Sequence, residues 1–180
     1  MAVPTHIAFL RAINIGKRQY PMAELRAALQ AAGYDDVATH IQTGNVRLSS
    51  PSTDRAEVEA ALEAVFEADR GFAVPVIVFS PEELAAVARD ADELAAARQG
   101  EVRHYVSLLK HPPSAEGTAR IQAHGHPGET AVVRGRAVHL LHDTLYHEAK
   151  VSNATVEKAL GLATNRNATV VRALVAKWCT

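Results

Sequence analysis

The sequence predicts an α+β fold of two α/β-plait (ferredoxin-like) domains. Two patterns predict it. Short apolar runs alternate with helical 3.6-residue periods in the order βαββαβ, complete by about residue 79, which is the split βαβ plan. The second half then repeats βαββ and adds helices, so it reads as an incomplete version of the first. The expected domains are 1–79 and 80–180, the latter ending in basic helices.

In the first domain, His6-Ile7-Ala8-Phe9-Leu10 reads as a buried strand. Pro21 suits the entry to a helix whose apolar face is Met22, Leu25, Leu29 and Ala32, and Gly33 ends it. Strands at Val37 to Ile41 and Val46 to Ser49 flank the turn Thr43-Gly44-Asn45, which makes them a hairpin. Asp54 with Glu57 caps the next helix. Val58, Ala61, Leu62, Val65 and Phe66 form its stripe, Gly71 stops it, and Val74 to Phe79 is the fourth strand.

Ser80-Pro81-Glu82-Glu83 opens a helix carrying Leu84, Val87 and Ala91 on its apolar face. Arg98-Gln99-Gly100-Glu101 reads as a linker end. Val102 to Leu109 alternates as a strand, and a helix is expected near 114–123. His124-Gly125-His126-Pro127-Gly128 reads as a loop. Thr130 to Arg134 and Ala137 to His142 form a second hairpin at Gly135. Helices near 151–161 and 167–178 close the chain, with Gly161 stopping the first.

The 180 residues are 48% hydrophobic and 22% charged, an ordinary globular composition with a net charge of −1. That balance gives no global argument for nucleic acid or membrane. Residues 150–180 are the basic exception: Lys150, Lys158, Arg166, Arg172 and Lys177 stand against one acid, Glu157. The single cysteine, Cys179, excludes an internal disulfide. Met1-Ala2-Val3-Pro4 lacks the basic region and long apolar run of a leader, and no apolar stretch approaches the roughly 20 residues of a membrane span, so no signal peptide and a cytoplasmic location without membrane contact are expected.

Chemistry concentrates in Leu10-Arg11-Ala12-Ile13-Asn14-Ile15-Gly16-Lys17-Arg18, a strand that delivers polar groups to its own end. Gly16 permits a tight turn, Asn14 donates and accepts, and Arg11 and Lys17 suit an anion; the plainer alternative is a turn with solvated cations. Thr164-Asn165-Arg166-Asn167 offers N-cap residues and a cation ahead of the last helix, where free N–H groups attract anions. Lys150 precedes another helix start, against the helix dipole, which hints at a reason for its presence.

The nine histidines do not make a metal site: His139 and His142 point to opposite faces of a strand, and no His-Glu-x-x-His helix exists. Surface or half-buried histidines are expected instead. No Walker loop, dinucleotide fingerprint or nucleophile elbow appears, and no base-plus-nucleophile pair points to a reaction or a cofactor. The strands lack the aromatic residues that RNA-reading plaits stack on bases.

Leu10-Arg11-Ala12-Ile13-Asn14-Ile15-Gly16 resembles the Leu-Arg-Gly-Ile-Asn-Val-Gly opening of the bacterial domain of unknown function 1697 family. Met22-Ala23-Glu24-Leu25, Gly33-Tyr34, Val74-Pro75-Val76 and Lys150 to Gly161 continue it. Ile41-Gln42-Thr43-Gly44-Asn45-Val46 is similar to the family's Gln-Ser-Gly-Asn-Val, and Thr164-Asn165-Arg166-Asn167 to its Thr-x-Arg-Asn. The resemblance implies two α/β-plait domains and no established activity. It raises the standing of Arg11, Asn14, Gly16, Gly44, Asn45, Lys150, Thr164, Arg166 and Asn167. Three residues depart from the pattern: Ala12 replaces a Gly, Ala168 a Trp and Val170 a Thr.

The expected function is binding of a small anionic, phosphate-bearing ligand at a polar site between the domains. Arg11, Lys17, Lys150 and Arg166 would bind it, with Asn14 and Asn167 orienting it. The alternatives are nucleic-acid binding through 150–180, or polar residues that only hold the two domains together. The Arg11–Arg18 loop and the Thr43-Gly44-Asn45 turn need not be neighbours within one domain.

Overall fold

The computed structural model describes residues 3–124 and 126–180. Met1, Ala2 and Gly125, which enter the leader and His124–Gly128 loop expectations, lie outside the described residues. The chain divides into two compact units, Met1–Pro81 and Glu82–Thr180.

The first unit runs β1 (Thr5–Leu10), α1 (Met22–Ala31), β2 (Asp35–His40), β3 (Asn45–Ser49), α2 (Arg55–Arg70) and β4 (Val76–Phe79). Its antiparallel sheet has the order β2-β3-β1-β4. Alternate residues Ala8 and Leu10, Val46 and Leu48, and Val76 and Val78 pack with Leu25, Leu29, Leu62 and Phe66 of the two helices. A one-residue slip would turn this whole set away from the helices, so the apolar alternation fixes the register. Asp54 caps α2 by accepting from the N–H of Ala56 (2.8 Å), and Gly71 ends it at φ +74°. Ala32 and Ala61, expected on the buried stripes, lie exposed.

The edge strand β4 is covered from within. Glu63 and Glu59, one turn apart on α2, accept from the backbone N–H of Val76 (2.8 Å) and Val78 (2.9 Å). These outward N–H groups would otherwise template pairing with another chain.

The second unit runs α3 (Pro81–Ala96), β5 (Arg103–Leu109), α4 (Ala115–Gln122), β6 (Glu129–Arg134), β7 (Ala137–His142), α5 (Asn153–Leu160), β8 (Ala163–Asn167) and α6 (Ala168–Trp178). Its antiparallel sheet has the order β6-β7-β5-β8. The expectation of an incomplete second sheet is therefore corrected: residues 163–167, read as a loop before the last helix, supply the fourth strand. Ala-Thr-Asn-Arg-Asn carries no apolar alternation, and pairing with β5 makes it a strand. The Arg98–Glu101 linker expectation also fails. That stretch lies inside the second unit, where Arg98 donates to the Leu141 carbonyl and to Thr130 Oγ1, both at 3.3 Å.

The two units share more than element order. Leu10 N–H donates to the Gly44 carbonyl (2.8 Å) and Arg11 N–H to that of Pro75 (2.9 Å); Leu109 and Lys110 do the same to Arg136 and Leu162 (2.9 Å each). Glu157 of α5 accepts from Ala163 N–H (3.1 Å) on edge strand β8, as Glu63 does from Val76 on β4.

One face of the second sheet, with Leu109, Val138, Leu140 and Ala163, packs on Ile121, Val151 and Val156 beside α4 and α5. The alternate residues, including His104, Val106, His139 and Arg166, are buried on the other face. On that side Arg134 pairs with Asp90 and Glu93 of α3 (3.3 Å each), and Asp92 of α3 pairs with Arg172 of α6 (2.6 Å). Among the described residues no helix is long and apolar enough to cross a membrane.

Candidate functional site

The loop after β1 is built on backbone that L-residues resist. Ala12, Asn14 and Gly16 all have positive φ, at +57°, +56° and +54°. Asn tolerates this region and Gly adopts it freely, whereas Ala does so at a cost of about 1–2 kcal/mol. Asn14 pins the loop at its centre. Its Oδ1 accepts from Tyr20 N–H (2.8 Å), and its Nδ2 donates to the carbonyls of Tyr20 (3.2 Å) and Gln42 (2.6 Å). Arg18 closes the loop by donating to the carbonyls of Ala12 (2.7 Å) and Ala73, with its guanidinium 4.4 Å from the Phe72 ring centroid.

The Thr43-Gly44-Asn45 turn is a neighbour of this loop, a question the sequence leaves open. Besides the Asn14–Gln42 bond, Gly44 sits against the end of β1, where an added Cβ would come within 2.8 Å of both Leu10 Cβ and Ile13 Cδ1. With φ +79° as well, only glycine fits. Asn45 is fully buried and donates to the His40 carbonyl (3.0 Å) and Thr43 Oγ1 (2.9 Å). Arg11, which follows Leu10 in the chain, is half-buried, while Ile15, Gly16 and Lys17 stand exposed at the loop tip.

The second-unit candidates do not converge. The backbone N–H groups of Lys150 and Val151 already hold an anion, the Glu129 carboxylate, at 2.7 to 3.0 Å. Burial pushes the Glu129 carboxyl up, but these N–H donors, together with the nearby His142 and His126, hold it below its ordinary value. Arg166 lies on β8 facing away from the α5 side of the sheet, so it does not join Lys150. It is buried and donates to Thr164 Oγ1 (2.9 Å) and the Asn165 carbonyl (2.8 Å). Burial pushes its pKa down to about 10. The expectation that Arg166 opens a helix toward a ligand is thus corrected. Asn167 caps α6, its Oδ1 accepting from Thr169 N–H (2.8 Å).

A family model described as "Protein of unknown function (DUF1697)" matches residues 3–139. The chain belongs to this family. The match stops short of Lys150 and of the Thr164–Asn167 signature. The DUF1697 chain is also similar to the solved structure of "conserved bacterial protein SP0830 from Streptococcus pneumoniae", at 20% identity and a TM-score of 0.72. The likeness covers 99% of this chain and 100% of that one, and at this identity it shows the fold alone. No curated protein matches the chain.

Within this DUF1697 chain His40, His111, His124, His126 and His147 are exposed or half-buried as expected, but other histidines are not. His104, His139 and His142 are buried rather than half-exposed. His104 and His139 touch, Nε2 to Nδ1 at 3.0 Å, while His104 Nδ1 and His139 Nε2 have no hydrogen-bond partner. Burial pushes both pKa values down to about 4, and the neighbouring ring lowers that of His104 further. The sequence carried a signal for this pair: His104 is in phase with Val106 and Leu108, and His139 with Ala137 and Leu141. Among the described residues no group of three His, Cys, Asp or Glu side chains is placed to hold a metal ion.

Proposed function

We propose that the chain is a non-catalytic binding protein for a small anionic, phosphate-bearing ligand, met in the first unit by Gly16 and Lys17. The observation that carries this is the division of labour in the β1–α1 loop. Asn14 and Arg18 lock its base, so the backbone of the exposed tip Ile15-Gly16-Lys17 needs less ordering on binding. Lys17 has no ion-pair partner among the described residues. Two supports for a wider cation cluster are weaker, because Arg166 is buried and the N–H groups at Lys150 hold Glu129. The nucleic-acid alternative loses ground for a related reason: of the cations in 150–180, Arg166 is buried and Arg172 is paired with Asp92.

A structural reading accounts for the other matched residues. Asn14, Gly44, Asn45, Thr164 and Asn167 spend their hydrogen bonds or their shape on their own unit. We also read both units as ferredoxin-like plaits, with domains at 1–79 and 80–180; the repeated βαββαβ order and the matching strand orders support this.

The test is a thermal-shift screen with inorganic phosphate, nucleotides and phosphorylated metabolites. A ligand at 100 times its Kd adds about 2.7 kcal/mol of stability. Lys17→Ala should weaken any hit at least tenfold. Silence across the panel, or an unchanged hit in Lys17→Ala, contradicts the proposal.

A further inference from the structure

We infer that the buried His104–His139 pair is an acid-sensitive latch, which keeps α3 and α6 on the second sheet and frees them when the pair takes up protons. The pair sits on the face of the sheet that carries these two helices, at neighbouring positions of β5 and β7. While both rings are neutral, one N–H···N bond joins them and the pair itself buries no charge.

A first added proton must go to His104 Nδ1 or His139 Nε2, and neither atom has an acceptor in reach. A second proton leaves hydrogens on both facing nitrogens and destroys the shared bond. The surroundings oppose the charge. Arg172 of α6 bears on His104 and Arg134 of β6 on His139. Arg166 of β8 is buried on the same face. Asp92 of α3 is the one acid acting on His104, and it is engaged with Arg172. Asp90 and Glu93 of α3 are engaged with Arg134.

The helices are the parts that give way. β5 and β7 are held by a continuous backbone ladder from Arg103 to Leu108. α3 and α6 are tied there by side chains: Arg134 of β6 pairs with Asp90 and Glu93 of α3, Asp92 of α3 pairs with Arg172 of α6, and the helices bury Leu84, Val87, Ala88 and Ala91, and Val171 and Leu174, respectively.

The test uses Trp178, the chain's single tryptophan, at the end of α6. In the wild-type protein, Trp178 emission should shift between pH 7 and pH 4. Over the same interval, amide exchange corrected for intrinsic rates should speed up at least tenfold in α3 and α6 but not in α4 and α5. The double variant His104→Gln/His139→Gln should show neither change. Protection of α3 and α6 persisting to pH 4 in the wild type, or the same transition in the double variant, overturns the latch. Should the variant not fold, the ring proton signals of the wild type decide. His104 and His139 must titrate together with the Trp178 change, and titration apart from it overturns the latch.

Discussion

The side-chain amide of Asn14 and the peptide groups of Tyr20 are bonded in both directions: Tyr20 N–H to Oδ1 at 2.8 Å, and Nδ2 to the Tyr20 carbonyl at 3.2 Å. Asn14 thus plays the part of a strand partner for the residue that leads into α1. Its third bond, to Gln42, ties the same point to the β2–β3 turn. Asn14→Ala removes three bonds, strands a backbone N–H and puts Ala at φ +56°. The expected loss is roughly 3 kcal/mol in urea unfolding, with Asn14→Gly milder because it keeps the backbone conformation.

Ala12 holds a φ of +57°, a conformation that glycine adopts without the steric cost an alanine meets. Ala12→Gly should relieve the strain and raise stability by about 0.5–1 kcal/mol. Gly44→Ala should do the reverse by roughly 2–3 kcal/mol, because it combines a positive φ with contacts of 2.8 Å to Leu10 and Ile13. Thermal unfolding of the two variants should move the melting temperature in opposite directions.

Glu59→Ala removes the acceptor from the buried Val78 N–H on edge strand β4. The expected cost is about 1–3 kcal/mol, together with a greater tendency to self-associate. Glu59→Gln keeps an acceptor and should recover most of the stability. Equal losses in the two variants would contradict the edge-covering role.

The buried histidines fix a sign for the pH dependence. The folded pKa values of His104 and His139, about 4, lie below the ordinary 6.5, so the unfolded chain binds more protons between these limits. Stability should therefore be fully present above about pH 6.5 and fall as the pH drops toward 4. The slope should reach about 1.4 kcal/mol per pH unit for each histidine. Urea titrations at several pH values measure it, and His139→Gln should flatten it.

The first unit was legible because its strands and helices carry their own periodicity: Ile7 to Leu10 is apolar throughout, and Val58, Leu62 and Phe66 recur at helical spacing. β8 was not, because Ala163 to Asn167 is a strand only by pairing with β5. Arg166 looked like a surface cation because arginine seldom lies buried, and no local pattern announces its place beneath the helices. The motif residues were visible, but their task was not. Asn14 and Gln42 are 28 positions apart, and only the folded chain brings them to 2.6 Å.

The most direct measurement is an amide NMR titration of the intact protein with inorganic phosphate and with any phosphorylated ligand found by thermal shift. Binding at the loop tip predicts saturable shifts centred on the amides of Ile15, Gly16 and Lys17, lost in Lys17→Ala. Shifts that cluster elsewhere, or none at millimolar ligand, would contradict it.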